Sequence, residues 1–177
     1  MKIKLNQIKL KLAIVLASAL GSASLSTVGY AATAFDNMVV STAVVMTCTI
    51  DAGALTFATY DPTSASDNDA EVVITSTCSN GGSATITMGV GGVSAIGSTD
   101  AIPLRQLYNS ASGAPRLPYF LYQNAARDTV WGNTLGTGVA FTAVEGTNSS
   151  TLYGRIPAGQ TASVGSYNDN VSVTLEY

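Results

Sequence analysis

Histidine is missing from this 177-residue chain, and all four lysines fall within its first eleven residues. A Ser-His-Asp or Cys-His catalytic group therefore cannot form, and beyond residue 11 there is no lysine for a Schiff base or a Ser-Lys pair. The two cysteines, Cys48 and Cys78, cannot supply a tetrahedral zinc site without histidine. Charged residues make up only 11% of the sequence, where an ordinary domain has roughly a quarter. We expect no enzyme activity, no catalytic residue, no metal and no cofactor.

Residues 1–31 have the three parts of a secretory signal peptide. All the lysines precede an apolar run over residues 12–20, and small residues follow around residues 31–34. The run is too short to span a bilayer. We therefore expect export, with cleavage somewhere in residues 31–34.

Removing this leader makes the chain acidic. Four arginines then stand against all eleven acidic residues, a net charge of −7. A surface so poor in positive charge cannot neutralise a run of phosphates, which argues against nucleic acid and anionic membrane surfaces as partners. Cleavage after Ala31 leaves 146 residues, enough for one domain with a sizeable core.

The two cysteines both lie in the exported part. In an oxidising compartment, Cys48 and Cys78 are expected to form one disulfide across a separation of 30 residues. The chain-entropy model assigns such a bridge about 3 to 4 kcal/mol. Two separate thiols are the alternative.

Period-two alternation and turn residues recur through the exported part, while helical periodicity of useful length is absent. Many short strands rich in Val, Thr, Ile and Tyr predict an all-β sandwich of two antiparallel sheets. We expect an exposed loop over residues 63–70, and residues 123–129 fit either a short helix or an irregular loop. The predicted strands cover residues 38–50, 55–57, 71–78, 84–89, 117–122, 139–144, 151–156 and 171–177.

Two segments are unusual for a self-sufficient sandwich. Residues 35–45 form a long stretch of strand formers ahead of Cys48, and residues 171–177 form a strand that alternates apolar with polar residues. One face of the first segment carries Met38, Val40, Thr42 and Val44. The alternating residues of the second are Val171, Val173, Leu175 and Tyr177. Both segments fit ordinary first and last strands, and both fit a domain that lacks a strand and offers its arm to a neighbour.

Other motifs have ordinary structural explanations. Residues 67–71 resemble a loose set of calcium ligands but lack the EF-hand spacing and its glycine. Trp131 and the aromatics within residues 119–122 could stack on a sugar, although aromatics at alternating strand positions more often pack in a core.

Several segments act together as a family signature. They are Cys48, residues 55–57 with Tyr60, Cys78, residues 117–122 with Trp131, residues 153–160 and residues 165–177. In order and spacing they resemble the spore coat protein U domain found in pilins of the archaic chaperone-usher pathway. The resemblance covers essentially the whole exported chain, and residues 165–177 are its strongest part.

The resemblance implies an incomplete immunoglobulin-like β-sandwich that is completed by a donor strand from a neighbouring subunit. Residues 32–46 would be the donor-strand arm and residues 47–177 the pilin domain. The groove-filling residues of the arm would be Met38, Val40, Thr42 and Val44. The strand that walls the groove would carry Val171, Val173, Leu175 and Tyr177.

The implied function is that of a pilus shaft subunit, exported through the periplasm to the cell surface for adhesion and biofilm formation. Its implied partners are a periplasmic chaperone, an outer-membrane usher, and copies of itself or related pilins in a head-to-tail fibre. A second hypothesis is a stand-alone secreted or spore-coat protein of the same fold. A third is an extracellular carbohydrate-binding module, which would use acidic and aromatic residues such as Trp131.

Overall fold

The computed structural model describes Gly29, residues 31–111 and residues 113–177. Within these residues, alternating apolar side chains build eight strands. These residues contain no helix, and so none that is long and apolar enough to cross a membrane. The predicted signal peptide falls almost wholly outside them. The strands are β1 (Cys48–Asp51), β2 (Asn68–Cys78), β3 (Gly82–Met88), β4 (Arg105–Leu107), β5 (Leu117–Tyr122), β6 (Val139–Ala143), β7 (Gly146–Ile156) and β8 (Val173–Glu176).

The strands form two antiparallel sheets. Five strands lie in the order β1-β2-β7-β5-β4, and three lie in the order β6-β3-β8. The longest pairing joins β2 to β7, from Asn68 opposite Ile156 to Thr77 opposite Thr147. Because side chains alternate along a strand, every second residue of β5 is buried: Leu117, Tyr119 and Leu121. This confirms the predicted all-β class.

The chain divides into two units after Ser41. The described residues of the first unit are exposed and have no regular secondary structure. The second unit, Thr42–Tyr177, contains both sheets and the hydrophobic core.

Two large side chains with polar groups are fully enclosed in this core. Trp131 is 0% exposed, and its indole N–H donates to the Ile86 carbonyl at 2.8 Å. Arg105 is 1% exposed; its Nε donates to the Gly89 carbonyl at 2.8 Å, and its Nη2 donates to the carbonyls of Met88 and Trp131 at 2.9 Å each. Between them, these two side chains satisfy carbonyl groups within the last three residues of β3 and at Gly89, the residue that follows it.

The expected disulfide is present. Cys48 of β1 and Cys78 of β2 are direct cross-strand partners, with Cα atoms 4.2 Å apart. β1 is a four-residue strand at the edge of its sheet and pairs with β2 alone. The bridge therefore fixes a short edge strand that has few hydrogen bonds of its own.

We predict that replacing both cysteines, Cys48→Ala with Cys78→Ala, lowers the free energy of unfolding by about 3 to 4 kcal/mol, because the unfolded chain regains the entropy of an open loop. The urea midpoint of the exported chain measures this loss. Reduced wild-type protein is the control and should match the double variant. Equal midpoints for the oxidised wild type and the double variant would contradict the prediction.

The strand predictions differ from the structure in several places, and β7 begins five residues before the strand predicted at 151–156. The prediction at residues 117–122 coincides with β5, whereas the one at 38–50 is wrong before Cys48, because residues 38–46 have no ladder partner among the described residues. Residues 55–57 keep the alternating burial of a strand without pairing as one. The loop expected at 63–70 ends earlier, since β2 begins at Asn68, and the three-residue strand β4 was not predicted. Residues 123–129 form turns, so the irregular-loop interpretation is the correct one.

Candidate binding groove

An apolar groove of about 960 Å³ opens within the second unit, between one wall at residues 52–60 and another at residues 162–171. Its floor is the inner face of the five-stranded sheet, together with Met88 of β3, and all floor residues except Val72 belong to the buried core. Asp169 is the only charged residue of its lining. The groove therefore suits an uncharged, largely apolar occupant. The floor residues are Val72, Ile74, Leu117, Tyr119, Leu121, Leu152 and Ile156.

One wall of the groove is the extended segment 52–60 that follows β1. Leu55 and Phe57 alternate with exposed residues and lie against Gly154 near the end of β7. A Cβ at position 154 would stand 2.6 Å from Leu55 Cδ2 and 2.8 Å from Phe57 Cζ, so a larger residue there would force these two side chains to shift. Farther along, the Tyr60 hydroxyl donates to the Pro157 carbonyl at 2.9 Å and anchors the wall to the end of β7.

The opposite wall is formed by residues 162–171 and the first residue of β8. Asn168 and Tyr108 exchange two backbone hydrogen bonds, of 2.8 and 3.0 Å, which hold this wall against the end of β4. The Ser172 carbonyl accepts from the Gly89 N–H at 2.9 Å, so Ser172 faces β3.

The backbone of β8 is left open on the side away from β3. Residues of an antiparallel pair alternate between facing their partner and facing away, so Val173 and Leu175 direct their N–H and C=O groups outward. No described strand pairs with this edge, because β8 is the last strand of its sheet. An unpaired edge beside an apolar groove is a template for another strand.

Tyr119 lies on the floor and contacts both walls. Its ring packs edge-on against Phe57, with the ring centroids 6.3 Å apart. Its hydroxyl donates to Asp169 Oδ2 at 2.7 Å. Burial is the larger cause, and this hydrogen bond the second, of a pKa of Tyr119 that is raised far above its usual value. The hydroxyl therefore keeps its proton.

The four residues that the sequence analysis assigned to the groove wall do not all lie in one environment. Val171 and Val173 line the groove, and Leu175 packs against the core. Tyr177 is 58% exposed, and its hydroxyl lies 3.5 Å from the Cys48 carbonyl. The sequence did not identify segment 52–60 as a wall, although the alternation of Leu55 and Phe57 was a usable signal.

The residues assigned to the arm lie on either side of the boundary at Ser41. In the first unit, Met38 is 87% and Val40 is 85% exposed. In the second, Thr42 is exposed and Val44 is 83% exposed. Apolar side chains this exposed are unusual unless another surface covers them.

Two other sequence hypotheses have different outcomes. The prediction of a sugar platform at Trp131 is wrong, because Trp131 is fully buried in the core.

Within residues 67–71, Asp67 and Asp69 form ion pairs with Arg155. The Arg155 guanidinium donates to the two carboxylate oxygens of Asp69 at 2.7 and 2.8 Å and lies 3.2 Å from the Asp67 carboxylate. The hydrogen bonds from Arg155 lower the pKa of Asp69.

The sequence matches known proteins along most of its length. Residues 34–174 match the model of the Spore Coat Protein U domain. The chain is 37% identical to Protein U of Myxococcus xanthus over 98% of its own length and 100% of that protein.

One solved structure gives a similar fold at low identity. It is the crystal structure of the CsuC-CsuE chaperone-tip adhesion subunit pre-assembly complex from the archaic chaperone-usher Csu pili of Acinetobacter baumannii. The match has a TM-score of 0.51 and 18% identity, and it covers 76% of this chain but only 40% of that one. At this identity the match shows the fold, and it supports the immunoglobulin-like β-sandwich expected from the sequence.

Proposed function

The chain belongs to the Spore Coat Protein U domain family, and from this we propose that it is a structural subunit of an archaic chaperone-usher pilus. In this proposal residues 1–31 direct export, residues 32–46 are the donor-strand arm, and residues 47–177 are the pilin domain. The subunits polymerise by donor-strand exchange at the cell surface and serve adhesion and biofilm formation. No enzymatic activity is proposed.

The observation that carries the proposal is the open edge of β8 beside the apolar groove. A strand placed there would bond to the outward groups of Val173 and Leu175 and would bury its own apolar face on the floor. Burying four side chains such as Met38, Val40, Thr42 and Val44 contributes on the order of 5 to 10 kcal/mol before ordering costs.

The same exposed surface accounts for the proposed partners. An apolar groove and an unpaired edge invite aggregation, so a periplasmic chaperone would cover them until an outer-membrane usher exchanges it for the next arm. A head-to-tail contact of this kind does not close on itself and therefore grows into a fibre of identical or related subunits.

A stand-alone coat protein of the same fold is the second candidate. The name of the matching family, Spore Coat Protein U domain, and the 37% identity to Protein U favour it. In such a protein the arm would fill the groove of its own domain.

We predict that the chain, exported together with its candidate chaperone and usher, gives a ladder at multiples of the subunit mass in SDS gels, which collapses to monomer only on boiling. Strand-exchanged polymers resist SDS because each junction buries a strand in a core. A chain lacking residues 35–45 should give monomer alone. A single monomer band from soluble wild-type protein made without a chaperone would refute the pilin proposal in favour of the coat protein.

A matched pair of arm variants tests which face fills the groove. Val40→Asp should reduce the ladder by about tenfold or more, because it buries an unpaired charge in the junction. Val39→Asp is the control, since alternation places its side chain on the outer face of the same strand. Equal loss in both variants, or loss in Val39→Asp alone, would refute the assignment of Met38, Val40, Thr42 and Val44.

A further inference from the structure

Tyr119 is distinguished from the other floor residues by its contacts. Its ring meets Phe57 of one wall, and its hydroxyl meets Asp169 of the other. Leu117 and Leu121, its inward-facing neighbours on β5, line the same floor, but their side chains have no polar group that could bond to a wall. One side chain thus spans the width of the groove at this point.

The Asp169 side of this contact is held independently of Tyr119. Asp169 Oδ1 accepts from the N–H groups of Gly92 and Asn170 at 2.8 Å each. Gly91 has φ of +87°, and a Cβ there would collide with the Asp169 carboxylate, so the loop is shaped around this group. The carboxylate is therefore a fixed point, and the Tyr119 hydroxyl fixes the floor to it.

We propose that Tyr119, acting with Asp169, sets the width of the groove and is its specificity-determining residue, limiting the size of the donor side chain that is accepted above it. This inference rests on the proposed donor-strand function. The 2.7 Å hydrogen bond from the Tyr119 hydroxyl to Asp169 Oδ2 holds this wall to the floor. The wall therefore cannot move aside for a bulky donor side chain, as an unattached wall could. The selected partner is accordingly an arm with a small residue at that position.

The test uses the full exported chain, refolded at nanomolar concentration with a fluorescein-labelled peptide of residues 35–46 and followed by anisotropy. Four further peptides each carry one bulky change: Met38→Trp, Val40→Trp, Thr42→Trp or Val44→Trp. In the wild-type chain one of these positions should show the largest loss of affinity, about tenfold or more, as expected for overpacking. Tyr119→Phe should reduce that one penalty by about fivefold or more and leave the other three within about twofold.

Tyr60→Phe is the matched control. Tyr60 also lines the groove, but its hydroxyl bonds to Pro157 and Gln160 outside the lining, so its loss should relieve no position selectively. Asp169→Ala should give the same selective relief as Tyr119→Phe, and the double variant should add nothing further.

Each outcome has a separate meaning. A Tyr119→Phe variant that changes all four penalties equally, or none, overturns the width-setting role while the donor-strand function stands. The same holds if Tyr60→Phe relieves the same position as strongly. A wild-type chain that binds no arm peptide saturably overturns the donor-strand function, and the role of Tyr119 falls with it.

Discussion

Trp131→Ala is expected to lower the free energy of unfolding by about 4 to 6 kcal/mol, since truncating a buried tryptophan costs roughly 3 to 5 and the Ile86 carbonyl also loses its donor. The side chain is 0% exposed and lies in the main core cluster. Domains of this size have only about 5 to 15 kcal/mol of stability, so the variant should be close to unfolding without denaturant.

Urea unfolding of the exported chain, followed by far-ultraviolet circular dichroism, measures this effect without the tryptophan signal. Trp131→Phe is the control, because it fills most of the space and removes the indole N–H. We expect its loss to lie between those of the wild type and the alanine variant. A Trp131→Ala midpoint within error of the wild type would show that the core tolerates the cavity, contrary to the structure.

Arg105→Met is expected to cost about 3 to 5 kcal/mol, because each buried carbonyl left without a donor costs roughly 1 to 3. Three carbonyls depend on this guanidinium: those of Met88, Gly89 and Trp131. Burial lowers the pKa of Arg105 to about 10, so the group is still charged at neutral pH. Methionine fills a similar volume and supplies no donor.

Arg116→Met is the matched control for this measurement. Arg116 is exposed, and its guanidinium stacks 4.2 Å above the Tyr108 ring. The control should change the urea midpoint by about 0.5 kcal/mol or less, as surface substitutions usually do. If both arginine variants lose the same free energy of unfolding, the three hydrogen bonds from Arg105 to carbonyls contribute no more to stability than the surface contacts of Arg116. Arg105 bonds to the Trp131 backbone, so combining Arg105→Met with Trp131→Ala should be less than additive.

Local pattern was enough to predict most of the paired strands, although not β4. In β5, alternation of Leu117, Tyr119 and Leu121 with outward residues fixed both ends of the strand, because one face is buried and the other is not. The disulfide followed from two cysteines in an exported chain. These features depend on residues near one another in sequence, or on a single possible pairing.

Features that arise from distant contacts were not predictable in this way. β4 spans only three residues, too few for alternation to show, and it exists because β5 offers it an edge. A buried Arg105 is contrary to its usual preference for the surface, and its burial depends on the carbonyls of Met88, Gly89 and Trp131. Likewise, the link between Tyr119 and Asp169 joins residues fifty apart in the chain.

The position of the disulfide has a mechanical consequence in a pilus. Tension along such a fibre would enter each subunit through its arm, and Cys48 follows that arm within a few residues. The covalent bond to Cys78 passes the pull directly to β2, so the four-residue ladder of β1 need not resist it. β2 is paired with β7 over ten consecutive residue pairs, the longest ladder among the described strands. Force would thus bypass the short edge strand β1 and spread as shear over the longest pairing.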